Sequence, residues 1–143
     1  MGSYSKSVIT GPHIVASGVS ATAAGTLLTS RVDCLGARSV AFYVRSASGD
    51  TDVWATANAA TMSVIGPDRA INTGLKTGHS PSTALNAVAA NIGTVVYVAP
   101  TYGGSGSDPQ PNGRIAADQI GLQLTAGAAN VTGVDVYAYV IWD

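Results

Sequence analysis

Glutamate is missing from all 143 residues, and charged side chains of every kind make up only 10% of the chain, against about 25% in an average soluble domain. Seven Lys and Arg face eight acidic residues, all aspartate, for a net charge of −1. That balance leaves no basic stripe to track a phosphate backbone, so nucleic acid is not an expected partner. Cys34 is the single cysteine, which excludes an intrachain disulfide and a cysteine-built metal cage. No apolar run approaches the roughly 20 residues of a membrane helix. Gly11, Pro12 and His13 interrupt the apolar stretch after Lys6, so no secretory leader is expected. Lys6 also stands where a myristoylation signal wants Ser or Thr. These readings predict a product of the cytoplasm that uses neither membrane nor nucleic acid.

What is present is small, apolar and β-forming. Hydrophobic residues are 46% of the chain. The clearest stretch is Val131 to Asp143, in which Val134, Val136, Ala138, Val140 and Trp142 alternate with Asp135, Tyr137, Tyr139 and Ile141. Strand side chains point alternately to the two faces of a sheet, so this is a period-2 strand with one buried face. Burying the three valines, the alanine and the tryptophan would contribute on the order of 8 kcal/mol at most, so a central strand is expected, with Trp142 and Phe42 in the core.

Other strands follow along the chain. Val8–Ser17 is bent or held at an edge by Gly11-Pro12, and a turn-rich stretch follows from Gly18. Thr26–Leu35 alternates. Arg38–Ser46 is a strand whose expected hairpin partner, across a Ser48-Gly49-Asp50 turn, is Thr51–Thr56. Thr61–Ile65, Thr94–Tyr102 (ended by Pro100) and Arg114–Thr125 complete the set. Residues 66–93 look less sheet-like. Ser80 as cap, Pro81 at the first position and Gly93 past the end predict one short helix at about 81–91. Gly103–Gly113 is rich in breakers and reads as an exposed loop. The expected architecture is a flexible arm at 1–7 and one all-β domain at 8–143, a jelly-roll-like β-sandwich.

Catalytic signals are weak. His13 and His79 sit beside Pro or Gly in loop-like sequence, and a catalytic histidine needs a nucleophile and an orienting acid in space. Gly103–Ser107 misses the Gly-x-Ser-x-Gly elbow by its last residue. Asp50 and Asp52 fit a turn better than a calcium site, which wants six to eight oxygens. No phosphate-cradling loop with Lys-Ser/Thr occurs. The expectation is a protein that is not an enzyme, with no catalytic residue, metal or cofactor. The aromatics say more. Tyr43 and Arg45 lie opposite Val40 and Val44, as Tyr137 and Tyr139 lie opposite Val136 and Val140. A Tyr/Arg stripe of this kind suits a protein interface, a second core layer or a ligand platform.

The stretches GARSVAFYVRSASGDTDVWA, IGLQLTAG and VTGVDVYAYVIWD together resemble the small decoration, or cement, proteins of tailed bacteriophage capsids. The resemblance runs from about Leu27 onward and is one of pattern. It implies a structural virion protein on the capsid surface, assembling as a homotrimer and clamping neighbouring major capsid proteins. Contact residues are then expected in the arm (Tyr4, Lys6), in the 103–113 loop region (Tyr102, Asp108) and on the stripe of Tyr43, Arg45, Tyr137 and Tyr139. The alternative is a glycan-binding jelly-roll module of a phage fibre or receptor-binding protein, with Trp54 or Tyr102 exposed as its platform.

Overall fold

The computed structural model describes residues 8–46, 61–66, 75–77, 82–84, 94–100, 113–127 and 130–143. The expected arm at 1–7, the strand at 51–56 and most of the 103–113 loop lie outside them. The described residues form ten strands: β1 (Ile9–Ala21), β2 (Thr26–Leu28), β3 (Val32–Asp33), β4 (Ser39–Ser46), β5 (Thr61–Ile65), β6 (Leu75–Thr77), β7 (Ser82–Ala84), β8 (Thr94–Pro100), β9 (Gln119–Thr125) and β10 (Val131–Ile141). One sheet runs β1-β10-β4-β8-β6; the other runs β2-β9-β5-β7, with β3 also paired to β9. Every pairing is antiparallel.

The two sheets share one core, as expected of a sandwich. Val40, Phe42 and Val44 of β4, Val96 and Val98 of β8, and Val134, Val136, Ala138 and Val140 of β10 meet Leu27, Met62, Ile120, Leu122 and Leu124 of the opposite sheet. Phe42 is wholly buried, while Trp142 packs against the core without being enclosed. β10 is central, flanked by β1 and β4. Its four inward positions, Val134, Val136, Ala138 and Val140, are all buried in the shared core.

Several sequence expectations give way to longer-range pairing. The helix at 81–91 is replaced at its start: Ser82–Ala84 is a strand paired with Thr61–Ser63, and the remainder lies outside the described residues. Cap and Pro signals are local, and a neighbouring strand with open hydrogen-bonding groups outweighs them. Leu75–Thr77, in the stretch read as less sheet-like, pairs with β8. Of the expected 38–56 hairpin only the first strand is among the described residues; β4 has β10 on one edge and, from Val40 to Val44, β8 on the other. Gly18–Ala21, read as turn, continues β1, and the turn falls at Ala23-Ala24.

The alternation expected over Thr26–Leu35 changes phase partway. Leu27 and Thr29 point inward, and so do Val32 and Cys34. The shift occurs where the chain leaves β9. Thr29 donates its N–H to the Leu122 carbonyl at 2.9 Å, and its hydroxyl accepts the Leu122 N–H at 2.9 Å. Ser30 then donates its N–H to Val15 of β1 in the other sheet at 2.7 Å. A side-chain oxygen thus finishes the ladder so that the backbone can cross between sheets.

Candidate functional interface

β1 is a 13-residue edge strand, the kind of element that invites pairing with another chain. It is blunted. Its register against β10 shifts at four points, Pro12 has no N–H to offer, and Ser30 covers Val15. Gly11 has φ +127° and Gly18 φ +60°, backbone that side-chain-bearing residues rarely adopt. At Gly11 a Cβ would stand 2.6 Å from the Ala138 carbonyl oxygen. The β1 edge is therefore built against strand addition.

The outer face of the same sheet is where the stripe expected from the sequence assembles. Register places Ile14, Tyr137, Tyr43 and Val95 in one row across β1, β10, β4 and β8. The next row is Tyr139, Ala41 and Tyr97, and beyond it Ile9 lies beside Ile141. Ile14 is 68% exposed, Ile9 57%, Tyr97 54% and Val95 47%. Tyr43, Tyr137 and Tyr139 are half-buried. The Tyr43 and Tyr137 rings lie 6.3 Å apart at a 35° tilt, within the range of favourable aromatic pairs.

One polar row bounds the stripe. Asp135 and Arg45 are directly opposed, and Arg45 Nε reaches Asp135 Oδ2 at 3.4 Å. Arg45 also donates from Nη2 to the Tyr137 hydroxyl at 3.2 Å, with its guanidinium carbon 5.5 Å from the Tyr137 ring centre. The other Asp135 oxygen, Oδ1, accepts the Gly18 N–H at 2.8 Å. These bonds hold Arg45 and Tyr137 in fixed positions on the face.

Of the residues singled out from the sequence, the structure brings Tyr43, Arg45, Tyr137 and Tyr139 onto one face, while Tyr4, Lys6, Tyr102 and Asp108 lie outside the described residues. So do Trp54, His79, Asp50 and Asp52. Sequence reasoning passed over Ile9, Ile14 and Val95, because no periodicity says that the outer side of β1 and β8 is apolar; only register against Tyr137 and Tyr43 does. Asp135 is the missed polar partner, visible in the sequence only as the residue two before Tyr137.

His13 shares a cleft with Ser30 and Asp33. Among the described residues its imidazole makes no hydrogen bond, and Asp33 Oδ1 instead accepts from Gln119 Nε2 at 2.8 Å. No cluster of three or more His, Cys, Asp or Glu that could hold a metal occurs among the described residues. Nor is any helix there long and apolar enough to cross a membrane. Cys34 is wholly buried, and burial pushes its thiol up to about 11, with the Ile120 backbone pulling the other way. Comparison with protein-family models, curated proteins and solved structures returned no match to this chain.

Proposed function

We propose that this chain is a structural assembly subunit that decorates a larger protein shell, docking through the outer face of its β1-β10-β4-β8 sheet. The observation that carries the reading is the row Ile14–Tyr137–Tyr43–Val95 with Tyr97 beside it, an apolar and aromatic surface on a chain with few charges. Scattered exposed apolar residues are ordinary, but a contiguous apolar patch marks an interaction site. Tyrosine and arginine are the residue types that anchor protein interfaces.

Size favours attachment to an array over a lone dimer. Strands about 4.8 Å apart and residues rising about 3.3 Å make the face roughly 400 Å² in projection. A stable pairwise complex buries about 800 Å² on each partner. A contact of half that size gains durability by repetition, as when a symmetric oligomer engages several identical shell subunits at once. A homotrimer on a phage capsid, contacting the major capsid protein, is the arrangement that the strand pattern's resemblance implies. The strand order supports a jelly roll, with the first strand beside the last and successive strands crossing between sheets, an architecture frequent in viral capsid proteins and lectins.

The test joins two measurements on the full chain. Multi-angle light scattering should find an oligomer that Val95→Asp and Tyr97→Asp leave assembled, both positions being exposed enough to keep the fold intact. Mass spectrometry of density-banded particles from cells making the protein should find it with shell protein, and the same substitutions should release it. A strict monomer absent from particles overturns the proposal.

A further inference from the structure

At one margin of the sandwich, between β1 and the Ser30–Asp33 crossing, lies a cleft of about 390 Å³. Ligand clefts run from roughly 300 to 1,000 Å³, so this one suits a small molecule of one or two rings. Its floor is apolar, from buried Val15 and Val32. One wall is the half-buried Trp142. That indole is pinned: its ring N–H donates to Thr10 Oγ1 at 3.2 Å, and its backbone N–H donates to the Val8 carbonyl at 2.7 Å.

The rim is polar and of mixed sign. Arg31 and His13 make no hydrogen bond or ion pair through their side chains among the described residues, so donors face the cleft uncommitted. Asp33 gives one oxygen to Gln119 Nε2 and keeps Oδ2 as an acceptor. Ser30 adds a hydroxyl that both donates and accepts. A purely apolar ligand would leave these groups unpaired. A multiply charged anion would meet the Asp33 carboxylate, and a metal cation would find one carboxylate beside a guanidinium. A pyranose ring fits each part: its C–H face lies on the indole, and its hydroxyls, each a donor and an acceptor, bridge Arg31 and Asp33.

We propose that this cleft binds a neutral sugar, one or two pyranose rings long, with Trp142 as the stacking wall and Arg31 and Asp33 as the hydroxyl-reading pair. The site does not rest on the assembly reading: it is formed within one copy, and of its lining Ile14 is the residue shared with the docking row. It also differs from a platform built on Trp54 or Tyr102.

The experiment is a ¹H–¹⁵N NMR titration of the full chain carrying Trp54→Phe, which leaves Trp142 as the one indole signal. Neutral hexoses, N-acetylhexosamines and their disaccharides, with uronates and inorganic phosphate in parallel, are added to about 50 mM, enough to occupy even a site with a Kd of several millimolar. A saturable shift of the Trp142 indole and the Ser30–Asp33 amides is expected with at least one sugar. Arg31→Ala and Asp33→Asn should each weaken that binding about tenfold while leaving the remaining spectrum folded. An unmoved indole across the panel overturns the proposal, as does a response to uronates or phosphate alone. Wild-type affinity in the Arg31→Ala, Asp33→Asn double variant overturns it as well. Light scattering on the same samples reports assembly separately, so either proposal can fail without the other.

Discussion

Asp135 joins three strands with one carboxylate, and its removal has a size that the geometry sets. It sits on β10, accepts the Gly18 N–H of β1 at 2.8 Å and faces Arg45 of β4 at 3.4 Å, with only 15% of its side chain exposed against 36% for Arg45. A hydrogen bond to a charged acceptor contributes about 1.5–3 kcal/mol. A partly exposed ion pair adds about 0.2–1 kcal/mol. Asp135→Ala removes both and should cost roughly 2–3 kcal/mol. Asp135→Asn keeps an oxygen for Gly18 and loses only the charge, so it should cost about 1 kcal/mol. With an unfolding entropy of about 0.3 kcal/mol/K for a chain of this length, these become Tm losses of about 8 °C and 3 °C in a calorimetric scan. Raising the salt should narrow the gap between wild type and Asp135→Asn without closing the gap to Asp135→Ala. Equal losses for the two variants, or less than about 1 kcal/mol for the alanine, would show that the carboxylate does not pin β1, and the preorganised face would lose its basis.

Three further perturbations probe other parts of the frame. Thr29→Val keeps the shape but leaves the Leu122 N–H without the 2.9 Å acceptor it has now, so urea melts should show a loss of about 1–3 kcal/mol; no loss would mean that the hydroxyl does not complete the ladder. Gly11→Ala meets both the φ of +127° and the Ala138 carbonyl at 2.6 Å, and should cost more than about 2 kcal/mol, whereas Gly66→Ala, with open space around it, should be nearly neutral in the same melts. Cys34 titrates near 9.0 ordinarily and near 11 when buried in the fold. The native state therefore holds a proton that the unfolded chain releases, so its contribution is whole below about pH 9 and is lost as pH rises through about 11. At about 1.4 kcal/mol per unit of separation this reaches roughly 3 kcal/mol, and Cys34→Ala should flatten that part of the stability–pH curve. An unchanged slope would mean that the thiol is not desolvated.

The outer sheet combines a blunted edge with a fixed aromatic face. Shifts and glycines on β1 spoil edge pairing, while the Asp135–Arg45–Tyr137 row fixes the aromatics on the face. On the assembly reading proposed above, contact with another protein would then rest on side-chain complementarity, which discriminates between partners, and not on backbone pairing, which does not.

The alternation from Val134 to Val140 and from Val40 to Val44 sufficed to give strand type, the buried face and the outward stripe of Tyr43, Arg45, Tyr137 and Tyr139. Period-2 side-chain direction is a property of the backbone itself, so it can be read without knowing the neighbours. Tertiary structure alone decided which strands are neighbours. The preference of Ser82–Ala84 for pairing over helix, the placing of β4 between β10 and β8, and the phase change at Ser30 all depend on hydrogen bonds between residues far apart in the chain. The apolar row of Ile14 and Val95, and the meeting of Trp142 with Arg31 and Asp33, arise the same way: register and sheet crossing bring together residues that no local pattern connects.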